Sequence, residues 1–388
     1  MQNIYIALTG KWYFYSALSK TYFIGQSGPG IYDLKLFPYQ TITHDKTPYN
    51  IPESTSDEKE LSAEENAYFE SLETTSFLVL LRDSVIFEKY WEEHTPETVS
   101  NTFSAAKSIV SLLIGIAVEE GYIGSIDESV GEYIEEWNKA PYSKITIRDL
   151  LTMSTGLGWH ESGGNPFSDN AEAYYGTDLE KLVLKQEVVE EPGKEFEYIS
   201  SATQVLTIVL ERATGLGLSV YFQDKIWSKI GSGSDAYWSL DKEGGIEKGY
   251  CCLYATTRDF AKIGLLIAND GVWKGERIVP EWYMKEAFVP ADIKVKGGGD
   301  NHRYGLHWWV VPTEEDTVRY ARGIQGQYIV VVPGRDLVVV RTGHKRASDY
   351  REVPPGFDDF PESIKPQIGH PGDLFVYLKV AMRLADQE

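Results

Sequence analysis

The order of elements along the chain predicts an α+β fold: an antiparallel sheet built from both chain ends, flanked by helices, with an all-helical domain inserted. Strand-like apolar runs stand early, at 77–81 and 85–90, and late, at 304–311, 328–332 and 337–341. Helical patterns lie between them. The chain has 388 residues, 42% of them hydrophobic, ample for one large domain or two interleaved ones. The predicted division is an N-terminal arm and linker at 1–65, a sheet domain at 66–103 plus 245–388, and a mainly helical domain at 104–244. The cleft between the last two is the expected site.

Residues 1–50 are rich in aromatics, Gly and Pro, lack helical period, and read as an extended arm. Residues 52–65 are polar and acidic, a linker running into a helix. Residues 82–84 separate the two early apolar runs, a hairpin pattern. From Ser104, apolar residues recur at Ile109, Leu112, Leu113, Ile116 and Val118, a helix that Gly121 ends. Residues 145–153 form a second helix, with Thr146 as N-cap and Asp149 suiting the dipole of the first turn. Helices follow at 179–184, at 201–214 with Gly215 closing it, and at 257–270, capped by Thr257 and ended at Gly271. A turn at 333–336 joins the last two strands, and 375–384 form a final helix.

The charge balance narrows the partners. With 37 basic and 58 acidic residues, the formal net charge is −21. Such a surface repels phosphate backbones and anionic lipid, which excludes nucleic acid as a partner. The acidic stretches at 57–60 and 190–197 read as solvated faces or loops. Cys251 and Cys252 are adjacent, and the strained ring of a neighbouring pair makes buried thiols the expectation. They supply no four-ligand zinc site, and no other cluster suggests a metal. No cofactor is expected. The N-terminus lacks the order of a signal peptide, yet the apolar run 4–8 and the aromatics at 12–14 sit oddly in a cytosolic start. They fit the stub of a removed anchor or leader, or equally a short strand or packing arm. The expectation is an extracytoplasmic protein, tethered to a membrane only through a leader outside this sequence.

Three short segments carry chemistry. Ser104-Ala105-Ala106-Lys107 opens the first long helix. A serine hydroxyl is a poor nucleophile until a base takes its proton. A three-residue step is one helical turn, so Ser104 and Lys107 face the same way. The free N–H groups of the helix start suit a developing oxyanion, and burial with the helix dipole lowers the Lys107 pKa. The S-x-x-K spacing also occurs at Ser56–Lys59 and Ser239–Lys242, but only Ser104 opens an apolar helix. On spacing alone, an N-cap serine and a snorkelling lysine remain an equal alternative. Tyr198-Ile199-Ser200 precedes another helix. Tyr198 is placed as a second proton carrier, and Ser200 as a hydrogen-bond donor to substrate. Gly323-Ile324-Gln325-Gly326 leads into a strand, where glycines let backbone approach a ligand, and the N–H of Ile324 pairs with that of Ser104 as an oxyanion hole.

In this order the three segments resemble the serine β-lactamase/penicillin-binding-protein superfamily, marked by S-x-x-K, a Y-x-N or Y-x-S element and a K-T-G-like strand. The flanking segments Thr102-Phe103-Ser104-Ala105-Ala106-Lys107-Ser108, Arg148-Asp149-Leu150-Leu151-Thr152-Met153-Ser154-Thr155-Gly156 and Thr256-Thr257-Arg258-Asp259-Phe260-Ala261 strengthen it. The chain looks most like class C-type relatives: β-lactamase-like esterases, D-amino-acid peptidases and aminohexanoate-oligomer hydrolases. The resemblance implies acylation of Ser104 by a small ester or amide, then hydrolysis, without metal or cofactor. It departs in two places. K-T-G is missing at the expected strand, Arg341-Thr342-Gly343 being a late mimic, and the tyrosine element ends in Ser200. Both favour esterase or amidase work over a dedicated β-lactamase. A DD-peptidase or β-lactamase is one alternative, and a non-catalytic binding protein is another.

Other residues read more plainly. Tyr174 and Tyr175 are candidate pocket liners. His160 is a loop histidine, and His344 and Arg341 end a strand as surface residues. Trp308 and Trp309 alternate across a strand, so one packs in the core and the other faces the cleft or the arm.

Overall fold

In the computed structural model, described for residues 6, 10–55, 59–313, 317–354, 356–357, 359–360 and 364–387, the early hairpin forms as its sequence suggests. Thr74–Leu81 pairs with Ser84–Tyr90, and Arg82 and Asp83 turn the chain with φ of 48° and 65°. That two-residue turn matches the twist of its strands. The hairpin joins the late strands in one antiparallel sheet. Its order is Trp309–Pro312, Thr317–Gly323, Gln327–Val332, Leu337–Gly343, Thr74–Leu81, Ser84–Tyr90. Central strands read as unbroken apolar runs because helices cover both faces. The helix Thr257–Ala268 lies on one face, where Gly264 meets Val338. The helix Gly372–Ala385 lies on the other, its Tyr377 ring 5.9 Å from Phe77.

Between the two halves of the sheet the chain is largely helical. The helix Ala106–Glu119 is buried along twelve of its residues and packs on Ser200–Thr214. Thr146 and Asp149 form a full capping box, and Gly215 ends its helix at φ 71°. The α+β architecture is therefore the observed one.

The sequence reading needs four corrections here. The N-terminal arm is not extended: Tyr13–Lys20 is helical, and Tyr39–Ile42 pairs with Ala236–Ser239 in a second, four-stranded sheet with Leu253–Ala255 and Ser100–Asn101. The run 4–8, Ile6 aside, and part of the acidic stretch 57–60 lie outside the described residues. The strand Thr317–Gly323 escaped notice because it alternates apolar with charged residues and is buried on alternate positions. The helix at 257 is capped by Thr256, not Thr257, through a bond from Asp259 N. Cys251 and Cys252 are buried but bonded to each other; Cys252 adopts φ 69°, a left-handed turn that lets the neighbours meet.

The helix Ala106–Glu119 is held tightly. Gly115 faces the Tyr283 ring so closely that an added Cβ would lie 2.4 Å from a ring carbon, and Ser111 Oγ is 2.7 Å from the Tyr283 hydroxyl. Gly115→Ala gains about 1 kcal/mol of helix propensity. It loses about 1–3 kcal/mol to overpacking against a ring that cannot fold away. Urea denaturation is expected to show a net loss of about 1 kcal/mol; a net gain would mean the helix shifts freely.

Candidate active site

Ser104 is the middle residue of a 3-10 turn, Phe103–Ala105, that runs directly into the α-helix at Ala106. The turn is set by its neighbours. Phe103 is buried with φ 46°, a conformation costly for an aromatic residue. Its N–H donates to Asn101 Oδ1 at 2.8 Å, and Thr102 N donates to Leu253 O at 2.9 Å. The Ser104 turn thus hangs on the small second sheet. Ser104 is partly exposed at the cleft.

Lys107 lies one turn along and is 1% exposed. Its Nζ donates to Tyr250 O at 2.7 Å and to Ser104 Oγ at 3.1 Å. Among the described residues no carboxylate lies within ion-pair distance of it. Burial therefore lowers its pKa from 10.5 to about 8, with the more distant Glu161 pulling back. At neutral pH about one molecule in ten would hold the free amine, against about one in three thousand for an ordinary lysine. Tyr250 was not singled out from the sequence; only its place next to Cys251 marks it.

Tyr198 lies across the site from the lysine, its ring centroid 5.3 Å from Lys107 Nζ. The ring stacks on Trp309 at 5.8 Å, which fixes its orientation. Burial pushes the phenol's pKa up, and a hydrogen bond with Ser104 offsets this in part. Tyr198 is a neutral phenol at pH 7, able to donate but not a phenolate base. Both predicted tryptophans are buried: Trp308 packs on Phe288, and Trp309 backs the catalytic-side tyrosine.

The loop after Thr317–Gly323 approaches the Ser104 turn from the sheet. A Cβ on Gly323 would lie 2.1 Å from Thr102 O, so glycine is required by protein backbone and not by a ligand. Ile324 is 44% exposed and borders the cavity with Ser104. Both residues begin or sit within 3-10 turns, whose early N–H groups lack helical acceptors. Gln325 and Gly326 follow with φ of 64° and 86°. The Gln325 side chain turns away from the cavity centre and donates to Pro29 O at 2.6 Å. Gly326 leaves room for a guanidinium: an added Cβ would lie 2.0 Å from Arg341 Nη1.

Arg341 is the largest correction. Expected on the surface, it is fully buried. Its Nη1 donates to the carbonyls of Gln325, Gly326 and Lys345 at 2.9–3.0 Å, and its Nη2 to Leu72 O at 2.7 Å and Thr74 Oγ1 at 2.8 Å. It knots the Ile324 loop to the sheet. His344 is half-buried, 3.6 Å from Glu92, and His160 is an exposed loop residue.

Ser200 is also corrected. It is buried, and its N–H and hydroxyl both donate to the Glu161 carboxylate, at 2.7 and 2.8 Å. Asn170 donates to the same carboxylate at 2.6 Å. A carboxylate at a helix N-terminus is favourably placed, and it uses the donor that was assigned to substrate. Tyr174 and Tyr175 do line the cavity beside Ser104. The Tyr174 hydroxyl is committed to Asp33 at 3.0 Å. Ser104, Lys107, Tyr198 and Ile324 thus converge, whereas Ser200, Gln325 and Gly326 serve the frame. No group of residues able to hold a metal ion occurs among the described residues.

Residues 66–355 match the family model described as Beta-lactamase. A 6-aminohexanoate-dimer hydrolase of Paenarthrobacter ureafaciens is 26% identical over 285 residues, covering 69% of this chain and 72% of its own. A Bacillus anthracis structure provisionally named as a 6-aminohexanoate-dimer hydrolase superposes with a TM-score of 0.75 at 18% identity, over 91% of this chain and 92% of its own. A family VIII carboxylesterase superposes at 0.59 and 17% identity, over 84% of this chain and 99% of its own. With most of its length matched by the family model, this chain belongs to the Beta-lactamase family.

Proposed function

We propose that this β-lactamase-family protein is a serine hydrolase that cleaves a small ester or amide through an acyl-enzyme on Ser104. The observation that carries the reading is the buried, unpaired amine of Lys107, 3.1 Å from Ser104 Oγ. A buried cation without a counter-charge is costly; Lys248 is buried in the same way on the Tyr174 carbonyl, and what sets Lys107 apart is its contact with a serine hydroxyl at the cleft. The neutral amine accepts the Ser104 proton as Oγ attacks the substrate carbonyl. The resulting oxyanion takes hydrogen bonds from the N–H groups of Ser104 and Ile324. Tyr198 gives its proton to the leaving oxygen or nitrogen and regains one from the Lys107 ammonium. Water then attacks the acyl-enzyme by the reverse route. The dimer-hydrolase relative supports small amides or esters as the substrate class.

The test is intact mass after exposure to a fluorophosphonate. A single adduct on the native protein that is absent from Ser104→Ala is the expected result. No adduct on folded native protein would favour a non-catalytic binding role. With an ester substrate, kcat/KM is expected to rise with pH about an apparent pKa near 8, because the active form is the deprotonated lysine, whose pKa is lowered to about 8. Activity that stays flat between about pH 6 and 9 would remove Lys107 as the base. Arg341→Met strands the acceptors that Arg341 now satisfies. It is expected to cost about 3 kcal/mol in unfolding and to lower kcat about tenfold or more, with less effect on KM. Unchanged kcat would show that the loop holds without it.

A further inference from the structure

We propose that the N-terminal arm builds a binding subsite for an uncharged, apolar substituent of the substrate, in the cavity between the arm helix and Ser104. This rests on the serine-hydrolase reading and adds the kind of group the site accepts. The cavity holds about 570 Å³ and opens onto Ser104, a size typical of small-ligand sites. The arm contributes Phe14, Ala17, Leu18 and Pro29 to its lining, together with Ile324 and Tyr250. The arm lies ahead of the span 66–355 matched by the family model.

The arm is fastened at both ends of this stretch. Lys11 Nζ donates to Phe167 O at 2.9 Å, and Phe14 stacks on Phe167 at 5.2 Å with an interplanar angle of 4°. Further along, Asn101 N donates to Ile31 O at 2.9 Å, and Tyr174 donates to the buried Asp33 at 3.0 Å. The Gln325 amide, donating to Pro29 O at 2.6 Å, ties the arm to the loop that carries the Ile324 N–H. A bound group pressing on the arm therefore meets a fixed wall joined to the oxyanion loop.

The lining sets the chemistry. Among the described residues no lysine or arginine lines the cavity, so an anionic substituent finds no counter-charge there. Its one carboxylate, Glu161, is already bonded to Ser200 and Asn170. The rest of the lining is uncharged: Thr21, Ser27, Ser162 and Asn165 are polar, but most of its surface is aliphatic and aromatic, which rewards an alkyl or aryl group through burial. Leu18 and Ala17 both line the cavity and are partly exposed, Ala17 also packing against the core, so Leu18 is the cleaner probe and Ala17 is read with its stability.

The group sits on the acyl or on the leaving side of the scissile bond, and two substrate series separate these. One is the p-nitrophenyl esters from acetyl to octanoyl; the other is the acetates of ethanol to octanol. In one series kcat/KM is expected to climb about two- to fourfold per methylene. Leu18→Asp is expected to cut the ratio of longest to shortest substrate at least tenfold, and Ala17→Trp to move the optimum to shorter chains. Melting temperature is read alongside on both variants. Flat profiles in both series, or slopes unaltered in both folded variants, overturn the subsite. Ethyl- and octyl-bearing fluorophosphonates separate the two levels. Ser104 labelled equally fast by both overturns the subsite and leaves the hydrolase standing. No labelling of Ser104 overturns both.

Discussion

Everything at the site turns on an ammonium group buried without a counter-charge. Lys107 is 1% exposed and is held by the Tyr250 carbonyl at 2.7 Å. Its helix is apolar on every side, so the charge has nowhere to snorkel. The cheap solution for such a group is to lose its proton, and the free amine is what a neighbouring serine needs. The surroundings follow from that need. The second sheet fixes the Phe103 turn so that Ser104 faces the amine, and Trp309 fixes the ring of Tyr198 on the far side.

A second buried cation shows the contrast. Arg341 is as deeply buried as Lys107, yet every donor direction finds an acceptor: four carbonyls and the Thr74 hydroxyl. A planar fork suits that work, and a lysine with three donors would leave carbonyls orphaned. One cation is saturated and structural; the other is left short of partners and is chemically available. Burial alone does not separate them, nor does a shortage of acceptors, since Lys248 is buried on the Tyr174 carbonyl; the place of the amine beside the Ser104 hydroxyl does.

The fold and the core of the site were legible in the sequence because both rest on local patterns. Apolar periodicity from Ser104 to Gly121 and over 201–214 pointed to the helices observed at Ala106–Glu119 and Ser200–Thr214, and the break at 82–84 between two apolar runs pointed to the hairpin. Ser104 and Lys107 are one turn apart on one helix, so spacing could find them. Partners distant in sequence were out of reach. Arg341 looks like a strand-end residue until the loop sixteen residues earlier folds back onto it. Ser200 looks like a free hydroxyl until Glu161, 39 residues earlier, reaches it. The arm looked extended because its short helix is anchored by the Lys11 and Tyr13 side chains on the backbone carbonyls of Phe167 and Pro166 and not by its own period. The glycines of the 323–326 loop were read as making room for a ligand, whereas they make room for Thr102 and Arg341.

The most direct test of this account is the titration of Lys107 itself, followed by NMR on protein labelled in its lysine side chains, with Lys107→Met identifying the resonance. The account requires a midpoint near 8, as burial lowers the group from 10.5 to about 8. A Lys107 that titrates with the surface lysines, near their ordinary value of about 10.4, would contradict it and leave Ser104 without its base.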